Sequence, residues 1–133
     1  MGDENYAARS GRIMKSDGST INEADLLTGI DLVLLTNSTS TGTSSAKPVA
    51  GFKTYRFEAW GTGTYTLQIN GIGASGTGRP LPIWDITNKS FVAGNSITAA
   101  GFYEVDVQGF TSIQSNVPTI TGGNVNASGR LMA

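Results

Sequence analysis

Tyr55-Arg-Phe-Glu-Ala-Trp-Gly-Thr-Gly-Thr-Tyr-Thr-Leu-Gln-Ile69 alternates along its whole length. Its first half sets Tyr55, Phe57 and Ala59 against Arg56, Glu58 and Trp60. After Gly61-Thr-Gly63, its second half sets Tyr65, Leu67 and Ile69 against threonine and glutamine. Successive strand side chains point to opposite faces, so this two-residue period predicts two half-buried strands joined by a turn. The same pattern recurs outward from this stretch. Leu81, Ile83 and Trp84 form a run that Pro80 and Pro82 confine to a sheet edge or a strand start. Phe91-Val92 and Ile97 flank Ala93-Gly94-Asn95 as a predicted hairpin. Tyr103, Val105 and Val107 alternate with Glu104 and Asp106. Ile113, Ser115 and Val117 follow, and Thr121-Gly-Gly-Asn124 leads into a last strand through Val125 and Leu131. No segment after residue 30 carries a 3.6-residue apolar stripe. Short strands with turn signals roughly every 8–12 residues predict an all-β fold, an antiparallel β-sandwich of jelly-roll or immunoglobulin-like type.

Laying residue 51 on residue 109 reveals an internal repeat. Gly51-Phe52 falls on Gly109-Phe110, Leu67 on Val125, and Asn70-Gly71 on Ser128-Gly129. Each copy is a Gly-Phe entry, a strand, a turn and a return strand, which predicts two equivalent hairpins, one in each half of the sandwich.

Before residue 47 the chain reads differently. Arg12 to Asn22 predicts a small hairpin with Ile13 and Ile21 on either side of Asp17-Gly18, a pair suited to a type I′ turn. Asn22 to Thr28 predicts one helical turn capped by Asn22 and stopped by Gly29, and Ile30–Thr36 predicts a strand. Residues 36–46 hold no apolar side chain larger than alanine, the composition of a flexible linker or an exposed loop. The expected organisation is therefore an extended N-terminal attachment arm (1–35), a polar linker (36–46) and a sandwich domain (47–133).

The 133 residues include no His and no Cys, so disulfides, Cys/His zinc sites, thiol nucleophiles and any triad with a His base are excluded. Nine basic residues against ten acidic ones give no general field for nucleic acid. Only 14% of residues are charged; Gly, Ser, Thr and Asn supply 56 of the 133, a composition suited to turns and to contact surfaces. No apolar run approaches the ~20 residues that span a membrane. The opening Met1-Gly-Asp-Glu-Asn5 is acidic with no apolar h-region after it, so synthesis without a Sec leader is expected. Asn37, Asn88 and Asn126 match the glycosylation acceptor pattern at the frequency chance gives in so Asn-, Ser- and Thr-rich a chain.

Three motifs were weighed for chemistry. Gly71-Ile-Gly73-Ala-Ser-Gly76 has the glycine spacing of a dinucleotide loop, but Thr77-Gly-Arg-Pro-Leu-Pro82 forbids the helix that must follow. No cofactor is expected there. Glu58, Asp85, Glu104 and Asp106 are the candidate carboxylates for glycosidase-type chemistry. Glu104 and Asp106 share one face of one strand, most simply the solvent face, so neither catalysis nor metal binding is expected of them. The aromatics divide by phase. Tyr55, Tyr65 and Tyr103 are in step with core residues, whereas Trp60 is out of step and shares a face with Arg56 and Glu58. Aromatic plus arginine is the usual make-up of an interface centre.

Val49 to Ile69, Gly101 to Ile113 and Thr121 to Arg130 resemble the small β-sandwich domains of tailed-bacteriophage structural proteins: head decoration (cement) proteins, head fibres and tail-associated adhesins. The opening Gly11 to Leu27 resembles the segment that precedes the sandwich in such proteins, and Gly71 to Gly76 departs from their turn after the second strand. The resemblance implies a non-enzymatic virion protein, made in the host cytoplasm, that decorates the capsid or forms a head fibre. Its partners would be the phage capsid protein and copies of itself, a trimer being the state common among phage surface proteins. The alternative is a tail-associated adhesin or carbohydrate-binding module with a glycan as partner. No nucleic acid or membrane partner is expected. The candidate partner-contact residues are Arg12, Ile13, Ile21, Leu26, Leu27, Arg56, Trp60 and Trp84.

Overall fold

The computed structural model describes residues 29–133 and, before them, two short paired strands, β1 (Ile13–Met14) and β2 (Thr20–Ile21). Their register sets Ile13 opposite Ile21 and Met14 opposite Thr20. Arg12, Leu26 and Leu27, the Asp17-Gly18 turn and the helical turn expected at 22–28 lie outside the described residues.

The rest is strand and turn: β3 (Ile30–Ser38), β4 (Gly42–Thr43), β5 (Lys47–Pro48), β6 (Thr54–Gly61), β7 (Thr64–Ile72), β8 (Gly78–Pro80), β9 (Trp84–Asp85), β10 (Ser90–Phe91), β11 (Gly101–Asp106), β12 (Ser112–Thr121) and β13 (Val125–Met132). A single 3₁₀ turn, Ala93–Asn95, interrupts the described strands. All pairings are antiparallel. One sheet runs β10-β9-β11-β6-β13-β3; the other runs β4-β12-β7-β8, with β5 also against β12. The inward sets of both sheets form one core. Tyr55, Phe57, Ala59, Tyr103, Val105, Ala127 and Leu131 come from the first sheet, and Tyr65, Leu67, Ile69, Ile113 and Val117 from the second. The all-β sandwich and the core role of the three tyrosines thus stand as the alternation implied.

The internal repeat takes a different form from the two hairpins expected. β6 lies in the six-stranded sheet and β7 in the five-stranded one, while β12 and β13 make the same crossing in reverse. Each copy is an arch over the core, and the copies pair with one another, β6 on β13 and β7 on β12. The two crossovers sit back to back, with the Thr62 N–H donating to the Asn124 carbonyl at 2.9 Å. A side chain on Gly123 would meet the Thr62 carbonyl oxygen at 2.1 Å, so this approach is open only to glycine. Arch and hairpin share one alternation, because period two fixes a face and says nothing of the partner strand. The hairpin expected around Ala93-Gly94-Asn95 is likewise a crossing. Ile97 bridges to Leu67 in the other sheet, and β10 pairs with β9 before the turn.

The expected boundaries also shift. β3 is the edge strand of the six-stranded sheet, paired with β13 from Ile30 to Ser38, with Leu34 in the core. Residues 30–35 therefore belong to the sandwich and not to an arm. Residues 36–46 carry the chain from one sheet to the other: Gly42–Thr43 pairs with β12, and the Ser115 N–H donates to Ser44 Oγ at 3.0 Å. This segment needs no apolar side chain larger than alanine, because backbone and hydroxyl hydrogen bonds hold it in place. Asn37 takes a positive φ of 47°, and its N–H donates to Oδ1 of the buried Asn126 at 2.7 Å.

Candidate functional site

The two outer faces of the sandwich are chemically unlike. On the five-stranded sheet, Thr66, Gln68 and Asn70 of β7 stand beside Thr119, Asn116 and Gln114 of β12, a ladder of neutral amides and hydroxyls. Its members bond to each other, with Asn116 Nδ2 donating to Gln68 Oε1 at 3.2 Å and the hydroxyls of Thr66 and Thr119 2.9 Å apart. Neither β7 nor β12 contains a charged residue. Most of these groups bond within the ladder or to its neighbours, while Asn70 Oδ1 is buried without a partner.

The outer face of the six-stranded sheet gathers charge and aromatic surface instead. Directly opposed residues share a face, so the register builds rows across the strands. One row reads Asp31, Arg130, Arg56, Glu104, Trp84 and Phe91 from the β3 edge to the β10 edge. At the usual strand spacing it is about 24 Å long. A second row reads Val33, Ser128, Glu58 and Phe102, and Trp60 stands beside Asn126 beyond it. Glu104 pairs with Arg56 at 3.4 Å and Asp31 with Arg130, so carboxylates flank both guanidiniums. In such exposed positions each pair contributes at most about 1 kcal/mol to stability. Their effect is to fix the arginines in place. Trp60 is 41% exposed, Val33 49% and Phe102 54%, an apolar surface threaded through the charges.

Of the candidate carboxylates, Glu104 and Asp106 both line a groove beside Trp84, while Glu58 and Asp85 do not. Glu104 is engaged by Arg56. Asp85 accepts the Asn88 N–H at 3.1 Å and its side-chain amide at 2.8 Å, and these bonds hold its carboxyl below the usual range. Asp106 closes its own turn by accepting the Gln108 N–H at 2.9 Å. The Gly71–Gly76 loop runs into β8 and not into a helix.

At the β10 end of the charged row the face sinks into an open groove of about 710 Å³. Trp84, Phe91 and Phe110 line it, with Lys53, Asp106 and Gln108 among its polar groups. Trp84 and Phe91 meet edge to face with ring centres 5.0 Å apart, and Phe91 is 64% exposed.

The structure thus brings Arg56, Trp60 and Trp84 onto one face, Arg56 and Trp84 within one row. Ile13 and Ile21 stand opposite each other in the β1–β2 pair. Phe102 was legible as a surface aromatic by the rule that singled out Trp60, since it is out of phase with Tyr103 and Val105. Phe91 carried no such signal, because its strand is too short to show a phase.

A model of the XepA family matches residues 28–131. Among solved structures, the chain resembles the SPBc2 prophage-derived protein YomS with a TM-score of 0.69 at 16% identity, covering 78% of this chain and 92% of YomS. It resembles the PBSX exported protein XepA with a TM-score of 0.74 at 22% identity, covering 89% of this chain and 41% of XepA. The chain therefore spans less than half the length of XepA and nearly all of YomS. At these identities the structural likeness shows the fold alone. No curated protein matches the sequence.

Proposed function

Because this chain belongs to the XepA family, we propose that it is a phage-encoded protein of contact, without catalytic activity, that docks through the outer face of its six-stranded sheet. The partner in this reading is the particle surface, which makes the chain a capsid decoration or head-fibre protein, with residues 1–28 as its attachment arm. The observation that carries it is the gathering of the exposed aromatics Trp60, Phe91 and Phe102 with Arg56 and Arg130 on this one face, while β7 and β12 present a neutral ladder of amides and hydroxyls opposite. The prophage origin of YomS supports the phage assignment. Cosedimentation with particles assembled without the chain tests it. Trp60→Ala is expected to weaken binding about tenfold, as truncating an interface anchor does, and removal of residues 1–28 to weaken it further. Undiminished binding by both variants would remove the assignment.

Copies of the chain are proposed to associate along β3. This edge strand is nine residues long, contains no Lys or Pro, carries one charge at Asp31 that Arg130 engages, and exposes Ile30 and Val33, whereas edge strands that stay single are usually short or protected by Lys or Pro. Sedimentation should show an oligomer for the native chain and a shift towards monomer for Val33→Lys. A native chain that stays monomeric at high concentration rules the edge contact out.

A second reading, a tail-associated adhesin or carbohydrate-binding module, is favoured by the aromatic groove beside Trp84. It also accords with XepA being an exported protein.

A further inference from the structure

We propose that the groove beside Trp84 binds a neutral glycan, with pyranose rings against the half-buried Trp84 and the exposed Phe91 and sugar hydroxyls on Asp106, Gln108 and Lys53. The inference rests on the second reading above and names the ligand class of its site.

Shape is the first argument. The site is a trough open to solvent, about 710 Å³ in volume, within the size range of ligand sites and open enough for a polymer to lie along it. A pyranose has two apolar C–H faces and a rim of hydroxyls. Its recognition therefore needs an aromatic surface together with side chains that bond hydroxyls as donors and acceptors. The groove supplies both: the Trp84–Phe91 pair, then a carboxylate, an amide and an ammonium, which between them accept and donate several hydrogen bonds. The polar rim is preset in part, because the turn that the Asp106 carboxylate closes on the Gln108 N–H fixes both residues before any ligand arrives.

Charge then selects among ligands. Glu104 and Asp106 both line the groove; Arg56 engages Glu104 from beside it and Lys53 supplies the second positive charge, so the charges balance two to two. A site balanced in this way has no field for a phosphate polymer or another polyanion, and no surplus of carboxylates to favour a cationic peptide. Glu104 is held by arginine, and Asp106 keeps one oxygen in its turn and offers the other to a sugar hydroxyl.

The test presents the full chain to an array of neutral oligosaccharides built from glucose, galactose, mannose and N-acetylhexosamines, with hyaluronate and a glycerol-phosphate polymer alongside. Hits are titrated by tryptophan fluorescence. At least one neutral oligosaccharide should bind, with affinity reduced tenfold or more by Phe91→Ala and by Asp106→Ala and unchanged within twofold by Arg79→Ala. Phe91 is largely exposed, so its variant should melt as the native chain does, and a melting curve checks this. No binding to any neutral glycan, preference for either polyanion, or binding indifferent to Phe91→Ala and Asp106→Ala overturns the inference. Binding to host-cell envelopes that survives Phe91→Ala overturns the groove and leaves the adhesin reading standing. Oligosaccharide binding without envelope binding upholds the groove and overturns the adhesin reading.

Discussion

Gly129→Ala is expected to lower the melting temperature by about 10 °C or more, a loss of at least about 3 kcal/mol. Gly129 sits in the middle of β13 with a strand on each side, opposite Phe57 of β6 and Leu32 of β3. A Cβ added there would lie 2.0 Å from the Arg56 carbonyl oxygen, 2.5 Å from the Phe57 Cα and 2.6 Å from the Phe57 Cβ. These atoms belong to the backbone, or to the root of a fully packed side chain, in the strand that carries the core's largest aromatics. A rotamer change cannot clear them; β13 or β6 must move. Just before this point the pairing of β13 with β3 slips in register between Ala127 and Ser128. A strand bent at such an irregularity can press close to its other neighbour, and the approach here is one only glycine allows.

The same displacement would disturb the row that joins Arg130 to Arg56, so particle binding should fall together with stability. Urea unfolding of Gly129→Ala beside Ser128→Ala, whose side chain has room, measures the effect. A Gly129→Ala variant within 1 kcal/mol of the native chain would show that β13 has slack that this geometry denies.

Much of this fold could be read from phase alone. Tyr55, Phe57, Tyr65, Leu67 and Ile69 are all core residues because their alternation left no other face for them. Trp60 was legible as a surface residue by the same rule. Partnership between strands was not legible, since the turn Gly61-Thr-Gly63 can close a hairpin or carry the chain across the core without altering any side-chain pattern. Ile30–Thr36 is legible as a strand, whereas the polar stretch after it reads as a linker for a different reason. Hydrophobic patterning detects strands that bury side chains, whereas Thr36 to Ser45 is held through Asn126, Ser115 and the backbone of β12. The groove lay beyond any local reading. Lys53, Trp84, Phe91, Asp106 and Phe110 are spread over nearly sixty residues, and only the order β10-β9-β11-β6 brings them to one corner.

Tyr55→Ala should destabilise the chain by about 3–5 kcal/mol, the range for truncating a buried aromatic. Tyr55 is fully buried and stacks on Phe57 with ring centres 4.9 Å apart and planes 9° from parallel. Its hydroxyl donates to the Leu32 carbonyl at 2.9 Å. Leu32 is on β3, and β13 lies between β3 and β6, so the phenol reaches past one strand to tie down the edge strand proposed to carry association. Tyr55→Phe isolates that bond at a cost of about 1–2 kcal/mol and should loosen β3 first, seen as faster amide exchange there than in β6. The two variants also differ from the native chain in alkali. Burial pushes the Tyr55 hydroxyl far above its ordinary value of 10, while in the unfolded chain it ionises near that value. The folded state therefore holds a proton that the unfolded state releases, so this contribution is intact below pH 10 and is lost as the pH rises above it. Burial also raises Tyr65 and Tyr103, so the native chain should lose stability steeply in alkali, with Tyr55 supplying about 1.4 kcal/mol per pH unit. Tyr55→Phe removes that share and should show a shallower alkaline slope despite its lower stability at neutral pH. Equal slopes for the two chains between pH 10 and 12 would mean that the phenol ionises without unfolding, and that the edge strand opens far enough to let hydroxide reach it.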